Sequence, residues 1–344
     1  VTLTKLDAAG TLFAFKLSAV GWSDRQWRLI ERDYPEWPQQ ALPDDIRAKS
    51  GTFRPMVNGD WLAAAATEPP LYYALLGVPD RLDALAASLG IDIDRNIAAG
   101  TARRIAIRAS DITRGNRLAE RHSGNTGTLW LAYDFATATG DQDLFAHPLG
   151  PKPSPPGVAP FKPDEIRAAY TLPNGFFAYA VFDAAGKRID RILPGIEKPF
   201  TGVESNALEP LTKPGANCMA CHAGGIRVEK DDFRPYALGA GAAMPPDIRD
   251  AALRIYSLDG ETALLASGDG DRYRKALDAA HVDPDRRVKG KELVTALADY
   301  YRGGSDIRAA VALAGVDRAS FMKTLSEATG PAAALARRLQ QGVL

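Results

Sequence analysis

Two thiols and an imidazole stand together in "NCMACHAGG": Cys218, Cys221 and His222. These are the only cysteines of the chain, and His222 is one of just four histidines. Cys-x-x-Cys-His is the spacing at which two thiols add to the two vinyl groups of a haem. The two-residue gap sets both sulfurs along one porphyrin edge. The next residue then projects beneath the iron, which makes His222 the proximal ligand. The expected cofactor is therefore one covalent haem c, held by Cys218 and Cys221. Other uses of the pair are weaker. A redox dithiol wants a strand-to-helix junction, whereas Pro214 and Gly215 precede this pair without a strong strand. A zinc site wants further ligands, and His122, His147 and His281 are scattered singly.

The far side of the iron has two candidates. Met244, in "LGAGAAMPPDIRD", offers a soft thioether 22 residues beyond His222. His122 closes "SDITRGNRLAERH", and the segment from Thr101 to His122 carries Arg103, Arg104, Arg108, Arg114, Arg117 and Arg121. A distal imidazole beside an arginine such as Arg117 is the equipment of a peroxidase, where a base takes a proton from peroxide and a cation favours O–O cleavage. The same arginines suit haem propionates or an anionic substrate, or form a solvated loop salt-bridged to Asp111 and Glu120. Met219 sits inside the attachment turn; Met56 and Met322 read as core. "SGDGDRY" lacks the ligand series of a calcium loop, and "GAGAAM" lacks the third glycine of a dinucleotide fingerprint.

These residues must be positioned by two kinds of structure. The first 200 residues mix helix with β signals: "TLFAFKL", "RRIAIRA", "TGTLWLAYDFA", and "GFFAYAVFDAAGKRIDRIL", a hairpin turning at Asp183 to Gly186. "DRLDALAASLG" is a helix stopped by Gly90. Seven prolines between 148 and 163 exclude regular structure there; β signals resume beyond them, so the segment reads as a wrap over one domain. From Pro245 on the periodicity is helical. The expected fold is α+β: a mixed domain with antiparallel strands over 1–200, then an all-α cytochrome c-like haem domain over 201–344. At 344 residues two domains are the prior.

Composition narrows the partners. Lys plus Arg equals Asp plus Glu at 42 each, so no global charge argues for nucleic acid. No apolar run is long enough to span a membrane. The chain opens "VTLTKLDAAG"; haem c is attached outside the bacterial inner membrane, so a mature periplasmic or otherwise exported chain is expected. The Arg-rich segment predicts a local positive patch and salt-sensitive docking of an acidic partner.

"FKLSAVGWSDRQWRLIERDYP", "NGDWLAAAATEPPLYYALLGVP", "RGNRLAERH" (114–122), "LPNG" (172–175) and "NCMACHAGG" run in this order over most of the chain. This succession resembles a group of large exported bacterial proteins with a single haem c, among the c-type cytochromes. The resemblance implies architecture and cofactor, not an activity. The expected function is electron transfer through one haem, His222 proximal and Met244 or His122 distal, with a protein partner or a small oxidant or reductant. The alternative is a peroxidase-type oxidoreductase using His122 and Arg117. Size favours the enzyme, since one compact domain of about 100 residues suffices for a carrier. A third reading makes the front domain a ligand sensor whose haem reports redox state.

Overall fold

The computed structural model describes residues 2–6, 13–34, 48–49, 56–57, 59–152, 158–196, 198, 214–239, 244–288, 290–293, 296, 311 and 316–329. The chain divides into two compact units, residues 1–296 and 297–344. The first opens with a small antiparallel pair, β1 (Thr4–Lys5) and β2 (Phe13–Ala14). Helices described after it include α1 (Asp24–Asp33), α2 (Gly59–Ala66), α3 (Leu71–Leu76), α4 (Leu82–Ser88) and α5 (Ile93–Ala98). Ser23 and Gln26 form a capping box at the start of α1. Gly90, in the left-handed region at φ +70°, ends the turn after α4 where the sequence places a stop.

The centre is a six-stranded antiparallel meander of β3 (Arg103–Ile107), β4 (Arg117–Ser123), β5 (Thr128–Asp134), β6 (Glu165–Thr171), β7 (Phe177–Asp183) and β8 (Arg188–Ile189), each beside its sequence neighbour. The expected β7–β8 hairpin forms, with Gly186 N–H donating to Asp183 O at 2.9 Å. β5 and β6 pair directly on either side of the proline-rich stretch. That stretch is thus a wrap within one domain; residues 153–157 of it lie outside the described ones.

Register assigns the two faces. Arg121, Trp130, Ala169 and Tyr179 align across four strands, and side chains alternate along each strand. Leu118, Leu129, Leu131, Tyr133, Ala168, Tyr170, Ala180 and Phe182 therefore fill the opposite face, in the larger apolar cluster with α3 and α4. Trp130, Ala169, Phe177 and Tyr179 form the smaller cluster on the first face. Both faces are covered, which is why β7 reads "FAYAVF" without alternation.

Among the described residues the later helices of this unit include α6 (Ala216–Cys221), α7 (Phe233–Leu238), α8 (Pro246–Ile255) and α9 (Glu261–Ala279). α9 contributes Ala266, Tyr273 and Leu277 to the smaller cluster, which Cys218 and Met219 of α6 also join. α7 and α8 contribute Phe233, Ile248, Ala252 and Ile255 to the larger one. No division at 200/201 and no separate all-helical domain is shown among the described residues. Among the described residues these helices lie on the sheet, whose faces they bury, and the compact unit runs on to residue 296. A small pair, β9 (Arg287–Val288) and β10 (Lys291–Glu292), precedes that limit. The helical pattern expected from Pro245 on is interrupted by this pair, and residues 297–310 and 312–315 lie outside the described ones. In the second unit α10 (Arg318–Ser326) is capped by Asp317, which accepts from Ser320 N–H at 3.0 Å.

The β3 edge and the outer side of β7, which the two-residue β8 covers only in part, have further partners. At β3, Ala106 N–H donates to Asp231 at 2.8 Å and Ser257 N–H to Arg104 O at 2.9 Å. At β7, Tyr72 Oη accepts from Tyr179 N–H at 3.0 Å and Tyr73 Oη from Val181 N–H at 3.1 Å. Open strand edges invite pairing with other chains, and these groups cover part of them.

Candidate functional site

Cys218, Cys221 and His222 are built as one turn of helix and its end. α6 carries the two thiols three residues apart, and His222 caps it, its N–H donating to Cys218 O at 2.9 Å. The start of α6 is docked on the turn between α2 and α3, where Ala216 N–H donates to Thr67 O at 2.8 Å. Gly215 makes this possible: its φ is +89°, and a Cβ there would stand 2.3 Å from Thr67 O. Both thiols are half-buried.

The imidazole is oriented from two sides. His222 Nδ1 lies 3.2 Å from Gly225 O, so the proton belongs on Nδ1 and the lone pair on Nε2. Gly225 N–H returns a bond to His222 O at 2.9 Å. On its face the ring stacks on Tyr179, with centroids 5.5 Å apart and planes 21° from parallel. Burial pushes the His222 imidazole down to about 4, and the charges of Arg117, Arg227 and Arg167 act the same way against the Gly225 bond. Around neutral pH it is therefore an uncharged base. Tyr179 is 3% exposed, and its hydroxyl is buried with no hydrogen-bond partner among the described residues.

Arg117 lies on this same sheet face. It aligns with Asp134 and sits 3.3 Å from it, while Arg167 stands 2.9 Å from Asp134 and 2.7 Å from Glu165. Asp134 is wholly buried between the two guanidiniums.

His122 is elsewhere. Alternation along β4 turns it to the face opposite Arg121, and hence opposite Tyr179 and His222. There it is fully buried, its Nε2 2.8 Å from Glu120 Oε1 and its Nδ1 3.4 Å from Asn96. Glu120 also accepts from Tyr133 Oη at 2.9 Å and pairs with the buried Arg104. Arg104 in turn donates to Pro148 O at 3.3 Å and Gly150 O at 2.6 Å, tying the start of the proline-rich wrap to the sheet. Burial alone would push the Glu120 carboxyl up. The Arg104 charge and the His122 hydrogen bond outweigh it and bring the carboxyl down to about 2. His122 is thus a structural histidine, and the expected peroxidase pair of His122 and Arg117 is split across the sheet.

The expected surface patch is narrowed to Arg108 and Arg114, which are exposed. Arg103, Arg104, Arg117 and Arg121 pair with Glu261, Glu120, Asp134 and Asp269, and each has at most 30% of its side chain exposed. Arg121 makes two hydrogen bonds to Asp269 on α9, at 2.9 and 3.0 Å, and Trp130 Nε1 donates to the same carboxylate at 2.7 Å. These arginines lock elements together instead of presenting charge.

Met244 is half-buried against the larger cluster, which Met219 of α6 also touches. The rest of its loop, 240–243, lies outside the described residues. His147 lies 3.2 Å from Ala159 O, and residues 267–273, the "SGDGDRY" stretch, are helical within α9. Among the described residues no group of three His, Cys, Asp or Glu side chains comes together as a site for a bare metal ion. None of their helices is long and apolar enough to cross a membrane.

Tyr179, Thr67 and Asp134 are parts of this arrangement that sequence reading passes over. Tyr179 lies 43 residues before its imidazole partner in an ordinary β run, so no local signal marks it. Gly225, in "CHAGG", was visible only as a loop glycine. No family model, curated protein or solved structure matches the chain.

Proposed function

We propose that this chain carries one covalent haem c through Cys218 and Cys221, with His222 Nε2 as the proximal ligand, and serves as an exported electron-transfer protein. The observation that carries the reading is the His222 Nδ1–Gly225 bond at the end of the two-thiol turn. Such a bond fixes the tautomer and directs the other nitrogen at iron. The neutral imidazole agrees, since only the deprotonated nitrogen coordinates. The buried, unpartnered Tyr179 hydroxyl beside the motif agrees too, because a bound polar group or water would satisfy it. When bound, the haem supplies a one-electron couple at iron. The chain supplies the docked turn, the oriented imidazole and the low-polarity wall of Trp130, Phe177 and Tyr179. Met244 is the sixth-ligand candidate of this reading, because Met219 beside the two thiols touches the same cluster, whereas both nitrogens of His122 are engaged by Glu120 and Asn96. Catalysis of the peroxidase type is less well supported, because His122 and Arg117 face opposite ways.

The test is a haemochrome assay on chain made in a host that attaches haem c. Haem that survives denaturation in the native chain, and is lost in the Cys218→Ala/Cys221→Ala double variant, is expected. No covalent haem in the native chain overturns the reading. A low-spin spectrum in both oxidation states, inert to carbon monoxide, supports the carrier; Met244→Ala should open the iron to carbon monoxide. A native haem that is high-spin and binds carbon monoxide at once favours the enzyme.

A further inference from the structure

The Tyr179 ring covers one face of the His222 imidazole, and Tyr179 is buried on a paired strand. It stands in the middle of β7, 3% exposed. Its N–H is bonded to Tyr72 Oη, 3.0 Å away. Across the ladder it faces Ala169, whose small side chain leaves room for the ring, and Ala169 faces Trp130, which Asp269 anchors. An imidazole at the end of a helical turn has two soft side-chain torsions. The Gly225 bond restrains the ring at one atom only and permits rocking about that contact. A fixed aromatic surface 5.5 Å away restrains its plane.

We propose that Tyr179 is the positioning residue that sets the plane of the His222 imidazole, and through it the orientation of the proximal ligand about the iron–nitrogen axis. The inference rests on the haem reading above. Tyr179 neither ligates nor reacts; it acts through His222. The orientation of an axial imidazole sets how its π orbitals meet those of the iron, a lever of the protein over the haem's electronic state. The ring does this work, so phenylalanine at the same position should suffice, while an aliphatic side chain of similar bulk should not.

The experiment compares native chain, Tyr179→Phe and Tyr179→Leu as holoproteins of equal haem content, reading the pattern of ferric haem-methyl proton shifts, which reports the imidazole plane. Tyr179→Phe should keep the native pattern and Tyr179→Leu should change it, with a shift in reduction potential. An unchanged pattern in Tyr179→Leu overturns the proposal. So does a change in Tyr179→Phe as large as in Tyr179→Leu, which would assign the effect to the hydroxyl. If Tyr179→Leu does not accumulate, the native chain decides. In its diamagnetic ferrous state, nuclear Overhauser contacts between the His222 and Tyr179 ring protons are expected, and their absence overturns the proposal. Native chain without covalent haem would instead overturn the haem reading, so the two failures are distinguishable.

Discussion

Glu120 is the residue on which the buried polar side of the sheet turns. It satisfies Arg104, His122 and Tyr133 at once, all of them almost completely inaccessible. Removing one member of a buried pair strands the other, at a cost of about 3–5 kcal/mol. Glu120→Gln should therefore lower unfolding stability by roughly that amount, read by denaturant titration, and leave the haem spectrum unchanged because the network is on the far face. His122→Ala should behave alike, and a changed spectrum in either variant would return His122 to the haem side. The carboxyl also carries a pH dependence. Its folded value of about 2 lies below the ordinary 4.5, so its contribution is present above the unfolded value. Stability should fall as pH drops from about 4.5 towards 2, and Glu120→Gln should flatten that part of the profile.

At the scale of elements, the seating of α6 and of α9 decides whether the motif is presented at all. Gly215→Ala would bring a Cβ against Thr67 O and force a left-handed backbone on alanine. It should reduce the yield of covalent haem, measured by haemochrome content per chain, with the sheet intact by circular dichroism. Asp269→Ala removes the shared acceptor of Arg121 and Trp130. It should cost about 1–3 kcal/mol and broaden the near-ultraviolet signal of Trp130. Four strands of the six-stranded sheet were legible from their runs: "RRIAIRA", "TGTLWLAYDFA" and the 175–193 hairpin are β3, β5 and β7–β8. β4 was not. "RLAERHS" alternates, but its inward positions are Leu118, Glu120 and His122, and two polar residues of three hide a core face until their partners are known.

At the scale of the molecule, the Cys-x-x-Cys-His motif and the sheet belong to one compact unit ending at residue 296. Chain 1–296 should retain covalent haem, whereas a 201–344 fragment should fail to form a stable holoprotein, because Cys218 and Met219 pack on Trp130, Phe177 and Tyr179. Absorbance after co-expression with haem c maturation proteins would show it. A stable 201–344 holoprotein would restore the two-domain expectation. Neutral net charge and internal pairing of four arginines of the 103–121 segment alter the electrostatic expectation too. Replacing these arginines by glutamine should lower stability and leave the ionic-strength slope of partner reduction unchanged, as measured by stopped flow.

The sequence by itself determined what is local: two thiols and an imidazole at a spacing one helical turn can use, the turn of the β7–β8 hairpin, the stop after α4 and the start of α8. Each depends on covalent spacing or on backbone preferences within a few residues. Tertiary structure alone decided which charged and aromatic residues meet. Strand register carries His122 to one side of the sheet and Arg117 to the other, although five positions separate them. The same register brings Tyr179 beneath His222. Side-chain alternation has period two and pairing partners lie tens of residues apart, so these meetings exist only once the sheet is assembled.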